Sequence, residues 1–280
     1  MKNLSYDGLV LAGGGCRCFW QMGFLEVLSR ETEFQPREVG AVSAGSAMAC
    51  AFFSGTADRV FSHLLERCEQ NEANFYPGNL LGQGRAFPHE EIYRDTVVRC
   101  IDDEALARLH QGPRLRVLYA RLPVWLGPRS GVFAGLVAYE LEKVLAPSLH
   151  PRLGAAMGFR EGVGDVRDCD SVEALADLIL CSSCTPPFTP VYHRAGEPVL
   201  DGGLLDNIPV GILSPDLENV LVLLSRRYDP DWLRGVPGRT YVQPSAEIPV
   251  SKWDYTSPEG IAETRELGRR DAEDFVRRLD

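Results

Sequence analysis

The sequence lacks the features that mark a membrane-spanning or secreted protein. No stretch reaches the ~18 uninterrupted apolar residues that a membrane-spanning helix needs. Residues 1–8 carry one lysine and no apolar run, so we expect no secretory signal. The eight cysteines are scattered along the chain, which is typical of reduced thiols. Together these features predict a cytoplasmic protein.

The chain also lacks positive charge. Its formal net charge of -10 provides no broad basic face, so we expect no nucleic-acid partner. An anionic membrane would on average repel such a protein, although a local basic patch is compatible with this charge. Hydrophobic residues make up 45% and charged residues 24% of the chain, as in globular proteins that fold alone.

Apolar runs with strand and helix spacing alternate along the chain. Strands are predicted over residues 7–12, 38–42, 115–122, 199–200 and 219–224, and helices over 17–30, 44–54, 57–71, 132–145 and 171–181. This alternation predicts an α/β sheet with helices on both faces. No Pro/Gly/Ser run is long enough to separate two domains, so residues 1–280 are predicted to form a single domain. Residues 259–280 have mixed charge and one apolar stripe, which predicts a docked surface helix.

Ser43 lies between a predicted strand and a helix of small residues, in the segment AVSAG. That setting is typical of a nucleophile elbow, where small neighbours allow a sharp turn that presents the serine hydroxyl. The usual pattern is G-x-S-x-G, and Ala41 stands at its first glycine position. The helix that follows would direct its partly positive N-terminus at an anion. The alternative is a buried serine that caps this helix.

Three glycines, Gly13, Gly14 and Gly15, follow the first predicted strand and precede a helix. Because they have no side chains, their N–H groups can converge on one point and hold an oxyanion there. A phosphate cradle is the competing interpretation. However, Cys18 stands where a dinucleotide fingerprint needs glycine, and no Gly-Lys-Ser/Thr follows as in a P-loop. A plain glycine turn without a ligand is the other alternative.

Asp201 ends a short apolar strand and is followed by two glycines. Active-site side chains collect at strand ends in α/β sheets, although an aspartate in this setting is commonly a turn former. The sequence has only five histidines, and none follows Asp201. A triad in the order Ser, Asp, His therefore has to combine His193 with an earlier acid such as Asp165 or Asp177.

Cys181 and Cys184 form a C-x-x-C pair, a pattern found in redox and zinc sites. No second such pair and no paired histidine motif accompanies it, so a tetrahedral zinc site would need two further ligands from distant segments. Pro186 and Pro187 indicate instead a fixed loop beside a pocket. We therefore expect neither a metal nor an organic cofactor.

Four motifs in this order, GGGCRC, AVSAG, SSCTPPF and DGG, resemble the patatin-like phospholipases. Members of that family carry a G-G-G-x-R/K-G loop, a G-x-S-x-G elbow and a D-G-G/A motif. The resemblance extends over residues 13–210. It implies the patatin-like three-layer fold, with a mainly parallel central sheet and helices on both faces. Cys18 and Ala41 depart from the family pattern, and neither change removes a reacting group.

The resemblance also implies a reaction. Ser43 would attack an ester carbonyl while Asp201 accepts its proton, and an acyl-enzyme would follow. The three glycines would supply the oxyanion hole, and Arg17, at the family's basic position, would stabilise the loop or meet an anionic head group. The expected substrates are fatty-acyl esters, of phospholipids or lysophospholipids, reached through transient contact with a membrane surface.

Two other classes of function remain open. An acyltransferase or thioesterase would use the same residues but exclude water and admit an alcohol or a carrier thiol. A noncatalytic lipid- or anion-binding module would keep the fold and use only the glycine loop. The presence of both Ser43 and Asp201 argues against such a module.

Residues 121–170 match no motif of the family and are predicted to form a cap insertion. Within them, the helix predicted over residues 132–145 has an apolar face that would line or cover the acyl pocket. An ordinary core helix is the alternative interpretation of that face.

Overall fold

The computed structural model describes residues 2–81, 85–123, 153–234 and 236–279. The strands are β1 (Lys2–Asn3), β2 (Gly8–Leu11), β3 (Thr32–Glu33), β4 (Glu38–Val42), β5 (Arg114–Arg121), β6 (Arg160–Asp165), β7 (Tyr192–Arg194), β8 (Glu197–Asp201), β9 (Val220–Leu223) and β10 (Arg239–Val242). The helices are α1 (Phe19–Glu31), α2 (Ala44–Phe53), α3 (Ala57–Glu69), α4 (His89–Cys100), α5 (Asp103–Gln111), α6 (Leu153–Ala156), α7 (Val172–Ser182), α8 (Pro230–Leu233) and α9 (Pro258–Arg277). Short 3₁₀ turns occupy Gly15–Cys18, Pro77–Leu81, Val166–Asp168, Gly202–Leu204 and Val210–Ile212.

Eight strands of the described residues form the central sheet, in the order β10-β9-β2-β4-β5-β8-β7, with β6 added alongside β5. The pairs from β10 through β5 are parallel, and the pairs that involve β6, β7 and β8 are antiparallel. Helices flank this mixed sheet. The predicted class, a mainly parallel sheet between helical layers, is confirmed.

Alternate residues of β2 pack into separate cores on the two faces of the sheet. Leu9 and Leu11 of β2 belong to a large core shared with the longer helices, whereas Val10 belongs to a smaller core on the other face. Residues 208–213 and α8 contribute to that smaller core. Both faces of the central strands are therefore buried, as expected for a parallel sheet and for its continuous apolar runs.

The C-terminal helix α9 packs along α1. The two helices are in close contact, since a Cβ on Gly23 would collide with the Arg265 carbonyl oxygen. In the same contact, the indole of Trp20 donates a hydrogen bond of 2.7 Å to Asp271 Oδ2. Arg265 and Asp271 are both buried. The predicted docked helix is therefore present, and it is more deeply buried than a surface helix.

Some predicted and observed elements differ. The sequence pattern predicted none of the elements α4, α5, β6, β7 and β10, nor the very short β1, β3, α6 and α8. The helix predicted over residues 132–145 lies outside the described residues, as does most of the predicted cap, and the described end of that cap segment contributes β6 to the sheet. Among the described residues, no helix has the length and apolarity needed to cross a membrane.

Candidate active site

Ser43 occupies a sharp turn between β4 and α2. Its backbone has φ 53° and ψ −135°, a conformation that non-glycine residues rarely adopt. The sharp turn places α2 directly against β2. A Cβ on Gly45 would lie only 2.6 Å from the Leu11 carbonyl oxygen. Ala41 is fully buried in β4, so its methyl group fits at the position where the usual pattern has glycine. This strained strand–turn–helix geometry is that of a nucleophile elbow.

Ser182 fixes the backbone of this turn. The Ser43 N–H donates a hydrogen bond of 2.7 Å to Ser182 Oγ, and that hydroxyl in turn donates to the Leu118 carbonyl oxygen at 2.6 Å. Ser182 is fully buried at the end of α7. The contact ties the elbow to α7 and to β5, and it satisfies polar groups that burial would otherwise leave unpaired. The sequence signalled this residue only through its place in the SSCTPPF segment.

Two strands that end head to head bring Ser43 and Asp201 together. Strand β6 pairs with residues 116–121 of β5 and so occupies one edge of that strand. Strands β4 and β8 therefore share the other edge, β4 along residues 114–118 and β8 along residues 119–121. Val42 lies opposite Leu118, and Asp201 lies opposite Tyr119. Because β4 and β8 run in opposite directions, both of their C-terminal ends meet at this point.

The two side chains are in direct contact. Ser43 Oγ donates a hydrogen bond of 2.8 Å to Asp201 Oδ2, within the range of about 2.6–3.2 Å that proton transfer requires. The other carboxylate oxygen, Oδ1, accepts from the Gly203 N–H at 2.7 Å, and Thr185 Oγ1 donates to Oδ2 at 3.3 Å. Both Ser43 and Asp201 are buried. The carboxylate is thus held in a fixed orientation against the hydroxyl.

Hydrogen bonds to both its N–H and its carbonyl oxygen hold Gly13 in place. Its N–H donates to the Asn207 carbonyl oxygen at 3.1 Å, and its own carbonyl oxygen accepts from Asn207 Nδ2 and from Ser225 Oγ. For Gly13 the expectation of a free oxyanion donor is therefore corrected, because its N–H is already used. Asn207 and Ser225, for which the sequence predicted no role, anchor the loop.

Gly14 and Gly15 have N–H groups that, within the described part of the chain, donate to no other backbone group. Gly15 has φ +58°, and a Cβ there would collide with the Lys252 carbonyl oxygen, so this position requires glycine. Arg17 Nε donates to the Gly14 carbonyl oxygen at 3.4 Å, a contact that supports the loop. Cys18 Sγ contacts the Ala12 carbonyl oxygen at 3.4 Å, and burial raises the pKa of this thiol to about 12.

The residues of the alternative triad lie elsewhere. His193 is exposed on the edge strand β7. Asp165 and Asp177 form ion pairs, each of 2.6 Å, with Arg114 and Arg94 respectively. The structure therefore places His193 at the exposed edge of the sheet and not in the position beside Ser43 that the triad would require.

The eight cysteines are free and buried. Burial raises the pKa of the Cys181 thiol to about 12 and that of Cys184 to about 11, so both remain protonated at neutral pH. A metal binds the thiolate rather than the thiol. In the described ranges, no three His, Cys, Asp or Glu side chains are grouped so that they could hold a metal ion.

An apolar cavity of about 30 Å³ opens beside the elbow at Ala44. Its other apolar walls include Phe19, Met48, Leu64, Val97, Ile101 and Tyr255. The volume is far below the ~300–1,000 Å³ of sites that enclose drug-sized ligands. As it stands, this cavity admits only a small apolar group next to the serine.

Comparison with known proteins gives a match to a family model. The model described as Patatin-like phospholipase matches residues 9–214. The search of curated proteins found no match to the chain.

Two solved structures are similar to the chain at low identity. VipD from Legionella pneumophila is 11% identical with a TM-score of 0.47, and the match covers 97% of this chain and 66% of that one. The type III effector protein ExoU is 12% identical with a TM-score of 0.38, and the match covers 99% of this chain and 54% of that one. The chain thus spans 66% and 54% of the lengths of these two structures.

Proposed function

The chain belongs to the patatin-like phospholipase family, and on that basis we propose that it hydrolyses fatty-acyl esters of phospholipids or lysophospholipids through a Ser43–Asp201 dyad. The observation that carries this proposal is the 2.8 Å hydrogen bond from Ser43 Oγ to Asp201 Oδ2 at a strained elbow turn. A structural serine cap has no need of a disfavoured φ or of a carboxylate partner, whereas a nucleophile has a use for both.

In the proposed reaction, Ser43 Oγ attacks the ester carbonyl carbon while its proton passes to Asp201 Oδ2. The negative charge that develops on the carbonyl oxygen is stabilised by the Gly14 and Gly15 N–H groups and by the N-terminus of α2. When the intermediate collapses, the alcohol leaves with the proton from Asp201, and the acyl group remains on Ser43. Water then attacks the acyl-enzyme and gives its proton to Asp201. As the fatty acid leaves, Asp201 returns that proton to Ser43 Oγ, which restores the free enzyme.

We propose that the first carbons of the acyl chain enter the apolar cavity at Ala44. Two observations support this assignment. Ala44, which lines the cavity, directly follows Ser43 in the sequence, and most of the other walls are apolar. Since the cavity is only about 30 Å³, the rest of a long chain has to lie outside it or displace its side chains.

Transient contact with a lipid surface is also part of the proposal, and an aromatic cluster beside the site supports it. The cluster consists of Phe75, Phe87, Phe188 and Trp253, with Phe188 and Trp253 stacked at 4.7 Å between ring centroids. Phe188 belongs to the same loop as Thr185, which contacts Asp201. Phe75 is 43% exposed, and aromatic side chains are favoured at the boundary between lipid and water.

Phe75→Ala is expected to weaken binding to phospholipid vesicles by about threefold or more, because the variant buries less apolar surface in the lipid. Co-sedimentation with vesicles measures this effect. Trp232→Ala is the matched control, since Trp232 is similarly exposed but lies in α8, outside the cluster. An equal loss of binding in both variants, or no loss in either, contradicts a contact through the cluster.

The proposed function is tested with the unmodified protein. We expect covalent labelling by a fluorophosphonate probe and release of fatty acid from phospholipid or lysophospholipid micelles. Absence of both would support a noncatalytic binding module. Transfer of the acyl group to an added alcohol in preference to water would identify an acyltransferase.

A further inference from the structure

A cleft of about 490 Å³ lies beside the glycine loop. This volume is within the ~300–1,000 Å³ of typical small-molecule sites. Its walls come from Arg17, from residues 225–227 after β9, and from residues 246–252. Ser225 Oγ donates to the Gly13 carbonyl oxygen, and a Cβ on Gly13 would lie 3.2 Å from Ser43 Cβ. Gly13 thus contacts Ser225, in the wall of the cleft, and lies beside Ser43.

The cleft concentrates positive charge in an acidic protein. Arg17, Arg226 and Arg227 line it, and none of the three forms an ion pair with a described carboxylate, although Glu247 also lines the cleft. The chain has 39 acidic and 29 basic residues, so composition alone does not explain three such arginines in one place. Elsewhere, arginines such as Arg114 pair closely with acids.

Other contacts orient two of the guanidinium groups without neutralising them. Arg226 lies over the ring of Tyr228, 4.6 Å from its centroid, and Arg17 Nε donates to the Gly14 carbonyl oxygen at 3.4 Å. Arg226 and Arg227 are exposed, so their remaining N–H donors are accessible to a ligand. Guanidinium groups bind phosphate with paired, charge-assisted hydrogen bonds. A ligand that carries phosphate therefore suits this cleft.

We propose that the cleft binds the phosphate-bearing headgroup of the glycerophospholipid whose acyl ester reacts at Ser43, and that it selects headgroups of net negative charge. This inference rests on the proposed function. In a glycerophospholipid the phosphate is attached through the same glycerol unit as the acyl esters. An ester carbonyl at Ser43 therefore keeps the phosphate only a few bonds away, near the glycine loop and the cleft beside it.

The sign of the charge separates classes of headgroup. A choline headgroup follows its phosphate with a quaternary ammonium, which three arginines that pair with no described carboxylate would repel. A glycerol or inositol headgroup has no cation to repel. We therefore expect anionic phospholipids such as phosphatidylglycerol to react faster than phosphatidylcholine.

The test uses dihexanoyl phosphatidylglycerol and dihexanoyl phosphatidylcholine below their critical micelle concentrations, so that no lipid surface is present. The wild-type kcat/KM is expected to be about 10-fold higher for the glycerol lipid, the scale of one charge-assisted hydrogen bond. The variant R226E/R227E is expected to lower that ratio by about 10-fold or more. The ratio of the kcat/KM values for the two lipids does not change when part of the protein is inactive.

The matched control is R270E/R278E, which makes the same change in net charge at two exposed arginines in and directly after α9. It should leave the ratio unchanged. Equal kcat/KM values for the two lipids in the wild type, or a ratio that R226E/R227E does not alter, would overturn the inference. A ratio that falls equally in both double variants would do the same, since it would show a general electrostatic effect.

Glycerol 3-phosphate distinguishes a headgroup site from a site for free phosphate compounds. Competitive inhibition that R226E/R227E abolishes, together with a lipid preference, supports the headgroup assignment. The same inhibition without any lipid preference overturns it. If the wild type neither hydrolyses a neutral p-nitrophenyl ester nor reacts with the fluorophosphonate, the proposed function fails. If it does both without a headgroup preference, only the cleft assignment fails.

Discussion

Ser43→Ala is expected to abolish ester hydrolysis and fluorophosphonate labelling together, with a loss of turnover of about 1,000-fold or more. The reason is that the Ser43 hydroxyl lies at the strained turn and donates to Asp201 Oδ2 at 2.8 Å. Fatty-acid release and mass spectrometry of the labelled protein measure the two effects. Labelling that persists at Ser46, Ser182 or Ser183 would contradict the assignment of the nucleophile.

A second substitution at the same position separates catalysis from folding. Ser43→Gly also removes the hydroxyl, so it should be as inactive as Ser43→Ala. Glycine, however, adopts the φ of 53° without strain, so Ser43→Gly should be more stable than Ser43→Ala by about 1 kcal/mol. Denaturant unfolding of the two variants measures this difference. Equal loss of activity with different stability would show that the loss is chemical.

Much of the fold was predictable because its parallel strands are short apolar runs bounded by turn residues. The strand before Ser43 was predicted with its observed bounds, Glu38–Val42, and the helix after it was predicted to within one residue. The elements that were missed have weaker signals. In β6 (REGVGD) an apolar side chain occurs once, and α4 carries polar and charged residues on most of its surface.

The candidate site was predictable where a motif dictates local geometry, and less so where distant segments meet. Strand–serine–helix spacing predicts an elbow from adjacent residues alone. The use of the Gly13 N–H by Asn207 is different, because the two residues are far apart in sequence and nothing around Asn207 indicates the pairing. The same holds for Ser182, which reaches the Ser43 N–H from the end of α7.

The cleft illustrates the same limit for charge. The net charge of -10 predicts repulsion from anionic lipids, and it contains no information about where the basic residues lie. Arg226 and Arg227 follow β9, and β9 pairs with β2, the strand that leads into the glycine loop. This strand pairing places two arginines from the C-terminal part of the chain next to a loop near its N-terminus. The local cluster of arginines therefore arises from topology rather than from composition.

The base is the other residue for which a large effect is expected. Asp201→Asn should lower turnover by about 100-fold or more with little change in folding, the scale of lost general-base catalysis. An asparagine that keeps its oxygen on the Gly203 N–H, as Asp201 Oδ1 does now, must turn its NH₂ group toward Ser43 Oγ. The amide then donates to the hydroxyl and has no site to accept its proton.

Two control variants distinguish this dyad from a histidine triad. Asp177→Asn makes the same chemical change at an acid that pairs with Arg94, and His193→Ala removes an exposed histidine. Both should keep substantial activity, within about threefold of the wild type, because neither group contacts the reacting atoms. Steady-state kinetics on one phospholipid, with thermal unfolding to verify folding, compares the three variants. If His193→Ala were as damaging as Ser43→Ala while Asp201→Asn remained active, the proton would have to pass to an imidazole. The head-to-head meeting of β4 and β8 would then be a structural contact only.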